Sequence, residues 1–425
     1  MLQKCRYRDL KVLFICLEAF PSGGACAVLL NKLFRQKSLN DLGEMHVLAV
    51  KSVPNEADTE RWGTVTIHRF FSMSFLSAKT MMKYILKYPV YSVGTFAEYI
   101  WKRFTAKLNC NTSFLRHTLV REVRAALEHI QFERFDLIIS ISGFYEASYA
   151  GLKFAQKYKI PMLLYQVDPC TTNRLYPIRS YQKRFKLEQD LYRYCTYVIT
   201  TPIIQREMST KLQEYYINKM IPMMFPNVEP VHEKGSDNVT SKKQIQCVFA
   251  GRIYRGARDP SFTISLFSNL HTDTIKLKMV GIDQKGLTDY LDTSVLPSSI
   301  ECCGNLPFEE AQDAIEDADI LVNIGNLIIN QLPSKLFEYI SSGKPIVNVC
   351  TSHDCPSIPY MERYRLAINL FACDENIEEQ TQALKRFVFD NAGKRLAPEQ
   401  IIQEFPECTT AYCVKKVVQV IQATV

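Results

Sequence analysis

Short apolar runs alternate with longer amphipathic stretches along the whole chain. In the first half six runs have the length and composition of buried strands: Lys11–Leu17, Met45–Val50, Thr64–Arg69, Leu137–Ser142, Pro161–Val167 and Tyr197–Thr200. A strand that is apolar at nearly every position is covered on both faces, so the pattern predicts parallel sheets layered with helices. Polar residues from Glu233 to Lys243 read as a linker, and a second series of strands begins at Gln246. Apolar positions at helical spacing from Thr410 to Ala423 predict a terminal amphipathic helix. The expected organisation is therefore α/β, with one domain over 1–228, a second over 229–409 and a closing helix over 410–425. A chain of 425 residues normally holds two or three domains.

The most informative stretch is Asn330-Gln-Leu-Pro-Ser-Lys-Leu-Phe-Glu-Tyr-Ile-Ser-Ser-Gly-Lys-Pro-Ile-Val347. It predicts a loop, a short helix, a glycine stop and a buried strand. Ser334 suits an N-cap whose hydroxyl accepts from a first-turn N–H. Gly343 suits the left-handed position after the last turn, and Pro345 blocks continuation. A helix start of this kind offers unpaired N–H groups to a phosphate. Lys335 opposes the helix dipole there, a poor choice for stability alone. Glu338 lies one turn along on the same face, where a carboxylate can accept from a sugar hydroxyl.

Composition narrows the classes. The 47% apolar and 22% charged shares are those of a globular protein. No uncharged stretch reaches the eighteen residues of a membrane span; the run from Ile320 to Ser334 comes closest. Val12–Leu17, behind Lys4, Arg6, Arg8 and Lys11, mimics a signal peptide until Glu18 closes it, so a buried first strand is expected. The fourteen cysteines show no disulfide-rich spacing, which suits reduced thiols and a cytoplasmic location. Cys350-Thr-Ser-His-Asp-Cys355 holds metal-donor types, but no second ligand pair follows at a usual spacing, and no metal is expected.

Charge divides unevenly. Residues 1–228 hold 32 lysines and arginines against 18 acidic residues; residues 229–425 hold 19 against 26. A basic half suits anionic lipid headgroups at a membrane face or an anionic acceptor, and plain solvation explains it equally well. The basic, aromatic stretch Phe70–Lys107 adds a candidate membrane-surface segment, against the plainer reading of core-facing helices. No compact basic-aromatic motif points to nucleic acid.

The second half meets a known family. Val248-Phe-Ala-Gly-Arg252, Arg258-Asp-Pro, Leu277-Lys-Met-Val-Gly281, Ile300–Leu306 with Glu309-Glu310, Ala318-Asp-Ile-Leu-Val322 and Pro333–Val347 stand in the order of the donor half of glycosyltransferase family 4. The last resembles the "PSKxFEY" form of bacterial surface-polysaccharide transferases, and Pro226-Asn227 resembles the family's turn out of the acceptor domain. The resemblance implies a GT-B fold: two Rossmann-like domains facing a cleft, with the last helix crossing back to the first. It implies a retaining, metal-independent hexosyltransferase with no cofactor beyond its donor, a UDP- or GDP-sugar. The acceptor would be a hydroxyl of a glycan or polyprenyl-linked glycan in capsule, exopolysaccharide or O-antigen synthesis.

The same resemblance distributes roles. Arg252, with Arg258 and Lys335, would stabilise the departing diphosphate; Arg255 is the alternative to Arg258. Gly251, Gly281, Asn305, Leu306, Asn330, Ser334, Leu336 and Glu338 would line the donor site, with Glu338 on the ribose. Asn330 stands where the family carries the first glutamate of its paired-glutamate motif, and an amide cannot act as a base. Gly23 and Gly24 would close on the phosphates, although a plain tight turn explains them as well. The family's acceptor-side histidine is missing after Leu137–Ser142; Glu146 and Asp168 are the carboxylates near the strand ends that could orient or deprotonate an acceptor. Two other readings stay open: a nucleotide-sugar epimerase of the same fold, and a degenerate, non-catalytic glycan-binding protein.

Overall fold

The computed structural model describes residues 9–19, 24–52, 55–75, 97, 115–173, 176–212, 214–229, 244–253, 256, 258–288, 290–291, 296–328 and 330–425. Gly23, Arg255, the 233–243 linker and nearly all of the 76–107 stretch lie outside them. The chain forms two compact units, 1–226 with 411–425, and 227–410.

The first unit is built on one sheet. Its strands are β1 (Leu10–Ile15), β2 (Gly43–Val50), β3 (Thr59–Trp62), β4 (Val65–Phe70), β5 (Leu137–Ile141), β6 (Met162–Gln166), β7 (Val198–Thr200) and β8 (Met220–Pro222). Their order across the sheet is β3-β4-β2-β1-β5-β6-β7-β8, and every pair but β3–β4 is parallel. The alternation of side chains along β1 sends Leu13 and Ile15 to one face and Val12 and Phe14 to the other. The first face packs under the helices His117–His129, Tyr145–Tyr158 and Tyr181–Tyr194. The second packs under the helix Ala25–Phe34 and the closing helix Thr410–Thr424, whose Cys413, Val414, Val417 and Ile421 are buried there. Lys416 Nζ donates to Pro222 O (2.6 Å) and ties that helix to the sheet's edge. The closing helix thus belongs to the first unit.

β3 and the three-residue β8 are the strands that the pattern does not foretell, and β3 shows why. Thr-Glu-Arg-Trp is polar and mostly exposed, so it carries no alternation. It exists because Gly63 (φ 60°) turns the chain back and Arg69 Nη2, from a buried side chain on β4, reaches Glu60 at 2.8 Å.

The second unit holds β9 (Ile245–Ala250), β10 (Ile275–Val280), β11 (Ile300–Gly304), β12 (Ile320–Ile324), β13 (Ile346–Cys350) and β14 (Ala367–Phe371), all parallel, in the order β11-β10-β9-β12-β13-β14. Cys247, Phe249, Met279, Val322 and Val349 bury one face against the helices Ser261–Ser268 and Ile377–Asn391. The other face carries a ladder of amides. Asn323 donates to Asn348 (2.7 Å), and Asn348 donates to Asn369 (2.7 Å) and Ser357 Oγ (3.0 Å), across three strands in register.

No described helix is long and apolar enough to cross a membrane. All twelve described cysteines are free thiols.

One buried pair in the first unit sets a pH dependence. His46 Nδ1 and His68 Nε2 lie 2.8 Å apart in a stacked pair. Burial, then the neighbouring His46, push His68 down to about 4. An unfolded histidine titrates near 6.5, so between about pH 6.5 and 4 the unfolded chain binds the extra proton and stability falls as pH falls. The full effect is about 3 kcal/mol. Glu122 and Glu188, raised by burial, work in the opposite sense just above their ordinary range. The check is therefore a difference: melting of wild type and His68→Gln across pH 4 to 7 should converge towards the acid end. A constant gap would contradict it.

Candidate functional site

In open α/β sheets the ligand crevice lies beyond the carboxyl ends of the strands where the strand order reverses. In the second unit that point falls between β9 and β12, because the chain moves outward to β10 and β11 before returning. Three glycines hem the β9 side. Gly251 N donates to Val280 O (2.9 Å), Gly281 N to Gly304 O (2.7 Å) and Gly304 N to Ile282 O (3.0 Å). Gly281 sits at φ 101°, and a Cβ there would come within 2.3 Å of Gly251 O. Only glycine allows this approach. Gly281 and Gly304, both at positive φ, are therefore accounted for by backbone geometry, while a Cβ on Gly251 would press on the Arg258 guanidinium at 3.1 Å and the Phe249 ring at 3.2 Å.

Arg258 is braced over this end. Its Nη2 donates to Asn326 Oδ1 (2.9 Å), its Nη1 to Arg252 O (3.2 Å), and its guanidinium stacks over Phe249 at 5.7 Å. Arg252 is exposed beside it. Asn326, just past β12, is the hub that pattern reading missed. It also donates through Nδ2 to Gln331 O (3.0 Å), and its carbonyl accepts from Thr351 Oγ1 (3.2 Å). Its one advance sign was a Gly-Asn pair directly after an apolar strand.

The helix Lys335–Ser341 closes the other side. Tyr339, fully buried, accepts from Ala250 N (2.9 Å) and donates to Ala250 O (3.2 Å), so the helix is pinned to the last residue of β9. Lys335 and Glu338 pair at 2.8 Å, both side chains partly exposed. Such an i,i+3 pair is worth only about 0.2–0.5 kcal/mol, so a ligand can redirect both charges at little cost. Leu336 is fully buried and serves the core. Asn330 lies in the loop between Asn326 and the helix. Asn305 and Leu306 follow the edge strand β11, two strands from β9.

One expectation fails here. Ser334 is not a side-chain N-cap: its backbone is already helical (φ −61°, ψ −30°), and its hydroxyl makes no capping bond. A capping side chain needs an extended backbone to reach the first-turn N–H groups. The turn begins one residue earlier, with Leu336 N donating to Pro333 O (3.2 Å). Instead the Ser334 carbonyl accepts from Asn227 Nδ2 (2.9 Å). Ser341 Oγ, at the far end, donates to Glu229 O (2.8 Å). Residues 227–229 thus run as a strap along the helix, a positioning role that the sequence reading gave only as a turn. Gly343 takes the expected left-handed conformation (φ 74°).

The first unit has its own reversal point, between β1 and β5. The chain passes close to itself there. A Cβ on Gly143 would come within 2.5 Å of Cys26 Sγ, and one on Gly24 within 2.1 Å of a Glu18 carboxylate oxygen. Glu18, read from sequence only as the end of a strand, therefore sits at the start of the Ala25–Phe34 helix. Beside it, Cys26 is held well above the usual thiol range by a hydrogen bond with Cys16, then by burial. Asp168, half-buried after β6, lies on a braced loop. Its carbonyl accepts from Tyr145 OH (2.7 Å), while Glu188 accepts from Gln166 Nε2 (2.8 Å), Cys170 N (2.7 Å) and Thr171 N (3.1 Å). Glu146 is buried and engaged: Oε1 accepts from Arg116 N (3.1 Å) and Nε (3.0 Å), and the Arg116 guanidinium stacks on Phe75 and Phe144. Glu146 is thus committed to holding Arg116.

No protein-family model matches the chain, and no curated protein sequence does. Solved structures match it nearly end to end. Sucrose-phosphate synthase from Thermosynechococcus elongatus superposes with a TM-score of 0.64 at 12% identity, covering 98% of this chain and 99% of that one. UDP-forming α,α-trehalose-phosphate synthase from Burkholderia xenovorans, in complex with glucose-6-phosphate, gives 0.63 at 12%, covering 97% and 100%. Anabaena HepE, in complex with UDP and glucose, gives 0.61 at 12%, covering 98% and 100%. At such identities the likeness is one of fold. The chain has the GT-B fold of these glycosyltransferases, built from two Rossmann-like α/β units.

Proposed function

We propose that this protein is a glycosyltransferase of the family 4 type, moving a hexosyl group with retention from a UDP- or GDP-sugar to a hydroxyl of a glycan or polyprenyl-linked glycan. The observation that carries the reading is the gathering, at the β9–β12 reversal, of Arg252, the braced Arg258 and the Lys335–Glu338 pair, on an end hemmed by glycines. Breaking the bond from the sugar to the diphosphate builds negative charge on the leaving oxygen. Arg252, Arg258 and Lys335 supply fixed positive charge to that oxygen and its neighbours, which lowers the barrier without a proton donor. Arginine suits the task because its fork meets two phosphate oxygens at once. Released from Lys335, Glu338 accepts from the ribose hydroxyls. Ser334, Asn330, Asn305 and Leu306 fill out the donor site. The leaving diphosphate steers the acceptor to the same face of the sugar, with Asp168 rather than Glu146 nearest the role of orienting its hydroxyl.

The fold shared with HepE in complex with UDP and glucose, and with the UDP-forming synthase, supports a nucleotide-sugar donor. The work we assign to it is capsule, exopolysaccharide or O-antigen assembly at the cytoplasmic face of a membrane, where the basic residues of 1–228 would meet anionic headgroups; flotation with anionic but not neutral liposomes tests that part. The decisive assay is incubation with a panel of nucleotide sugars. Release of free nucleotide together with sugar transfer or slow sugar hydrolysis is expected. Interconversion of the nucleotide sugar would make the protein an epimerase, and absence of any binding would make it a scaffold. Glu338→Gln should raise the donor KM by about tenfold with a smaller change in kcat, as loss of a binding contact does. An unchanged KM would remove Glu338 from the donor site.

A further inference from the structure

The loops that follow β13 and β14 carry a second constellation, apart from the donor cluster. His353 Nε2 lies 2.9 Å from Asp374 Oδ1, and Cys373 Sγ lies 3.5 Å from the same oxygen. All three donor atoms fall within 4.8 Å of one another. β13 and β14 are parallel neighbours in register, so their ends deliver the two loops side by side. The His353 ring is steadied by Phe371, with centroids 4.4 Å apart.

We propose that His353, Cys373 and Asp374 form a binding site for a thiophilic divalent cation of the zinc class. Tetrahedral zinc with sulfur near 2.3 Å and oxygen near 2.0 Å sets its ligands about 3.5 Å apart, which is the Cys373–Asp374 separation found here. One nitrogen, one sulfur and one oxygen donor favour zinc over magnesium or calcium, which take oxygen ligands. Three protein ligands leave the fourth position to water. The site stands beyond the edge pair β13–β14 of the sheet, where a bound ion ties two loops together. Its residues also explain why spacing alone failed to reveal it. Cys350 and Cys355, the pair that the sequence offers, are both buried, with Cys350 Sγ accepting from Asn348 Nδ2 (3.1 Å) and Cys355 Sγ against Ser357 Oγ (3.2 Å). The real partners of His353 lie twenty residues on, across a strand.

Titration of the reduced full-length protein with Co(II) tests this directly. The expected result is one equivalent bound with the visible bands of tetrahedral cobalt and a thiolate-to-cobalt charge-transfer band. Cys373→Ser should abolish the charge-transfer band, and His353→Ala should weaken binding at least tenfold. Both side chains are exposed, so both variants keep the fold, and Zn(II) should raise the melting temperature of wild type but of neither variant. The paired change Cys302→Ser with Cys303→Ser should leave the spectrum intact. An octahedral spectrum without a thiolate band, or bands that survive Cys373→Ser, would overturn the assignment.

Discussion

Arg252→Ala should lower kcat about 10²–10³-fold, the loss found when one fixed donor to a developing oxyanion is removed. The donor KM should move far less, because the charge that Arg252 compensates is largest in the transition state. The side chain is exposed at the end of β9, so the melting temperature should stay within a degree or two. Arg252→Lys should recover only part of the loss, since an ammonium cannot fork across two oxygens. Steady-state kinetics on the purified variants, with thermal melting as the control for folding, checks all three statements. Unchanged kcat in a folded Arg252→Ala protein would remove this residue from the mechanism.

Asn348→Ala should markedly destabilise the second unit. Asn348 is fully buried, and its amide holds Asn323, Ser357 and Asn369 at 2.7–3.0 Å. Truncation strands an amide N–H of the buried Asn323 and removes the donor to the half-buried Asn369. An orphaned buried group costs about 1–3 kcal/mol, so the pair should cost about 2–5 kcal/mol. For a unit of this size that lowers the melting temperature by roughly 5–15 °C. Denaturant unfolding measures it. Asn348→Asp keeps the acceptor for Asn323 but loses the donor to Asn369 and Ser357 and places a carboxyl group in the core, so it should be as harmful. A loss below about 1 kcal/mol would mean that the ladder is solvated or slack.

The sheet architecture was legible because parallel strands buried on both faces are written as unbroken apolar runs. Val12–Ile15 and Leu137–Ile139 announce themselves that way. β3 was not legible, because a polar edge strand has no periodicity and depends on a turn at Gly63 and an ion pair across the hairpin. The short helix after Pro333 and its glycine stop were legible from local chemistry. Its start was misread: Ser334 has the right side chain for a cap, but Pro333 begins the turn and leaves the serine inside it. The residues that position the candidate site were hidden for a different reason. Asn227, Asn326 and Tyr339 act through partners 107, 68 and 89 residues away, and no spacing rule spans such distances. Lys335 and Glu338 stood out from the local chemistry of a helix start, whereas Arg252 and Arg258 were singled out only by the resemblance of their segments to a known family.

The central claim is that a nucleoside diphosphate binds at the carboxyl end of the second sheet, between β9 and β12. A crystal structure of the protein soaked with UDP, and separately GDP, tests it most directly. The account predicts the diphosphate within hydrogen-bonding distance of Arg252, Arg258 or Lys335, with the ribose hydroxyls on Glu338. A nucleotide ordered anywhere else, with those four side chains untouched, would contradict it.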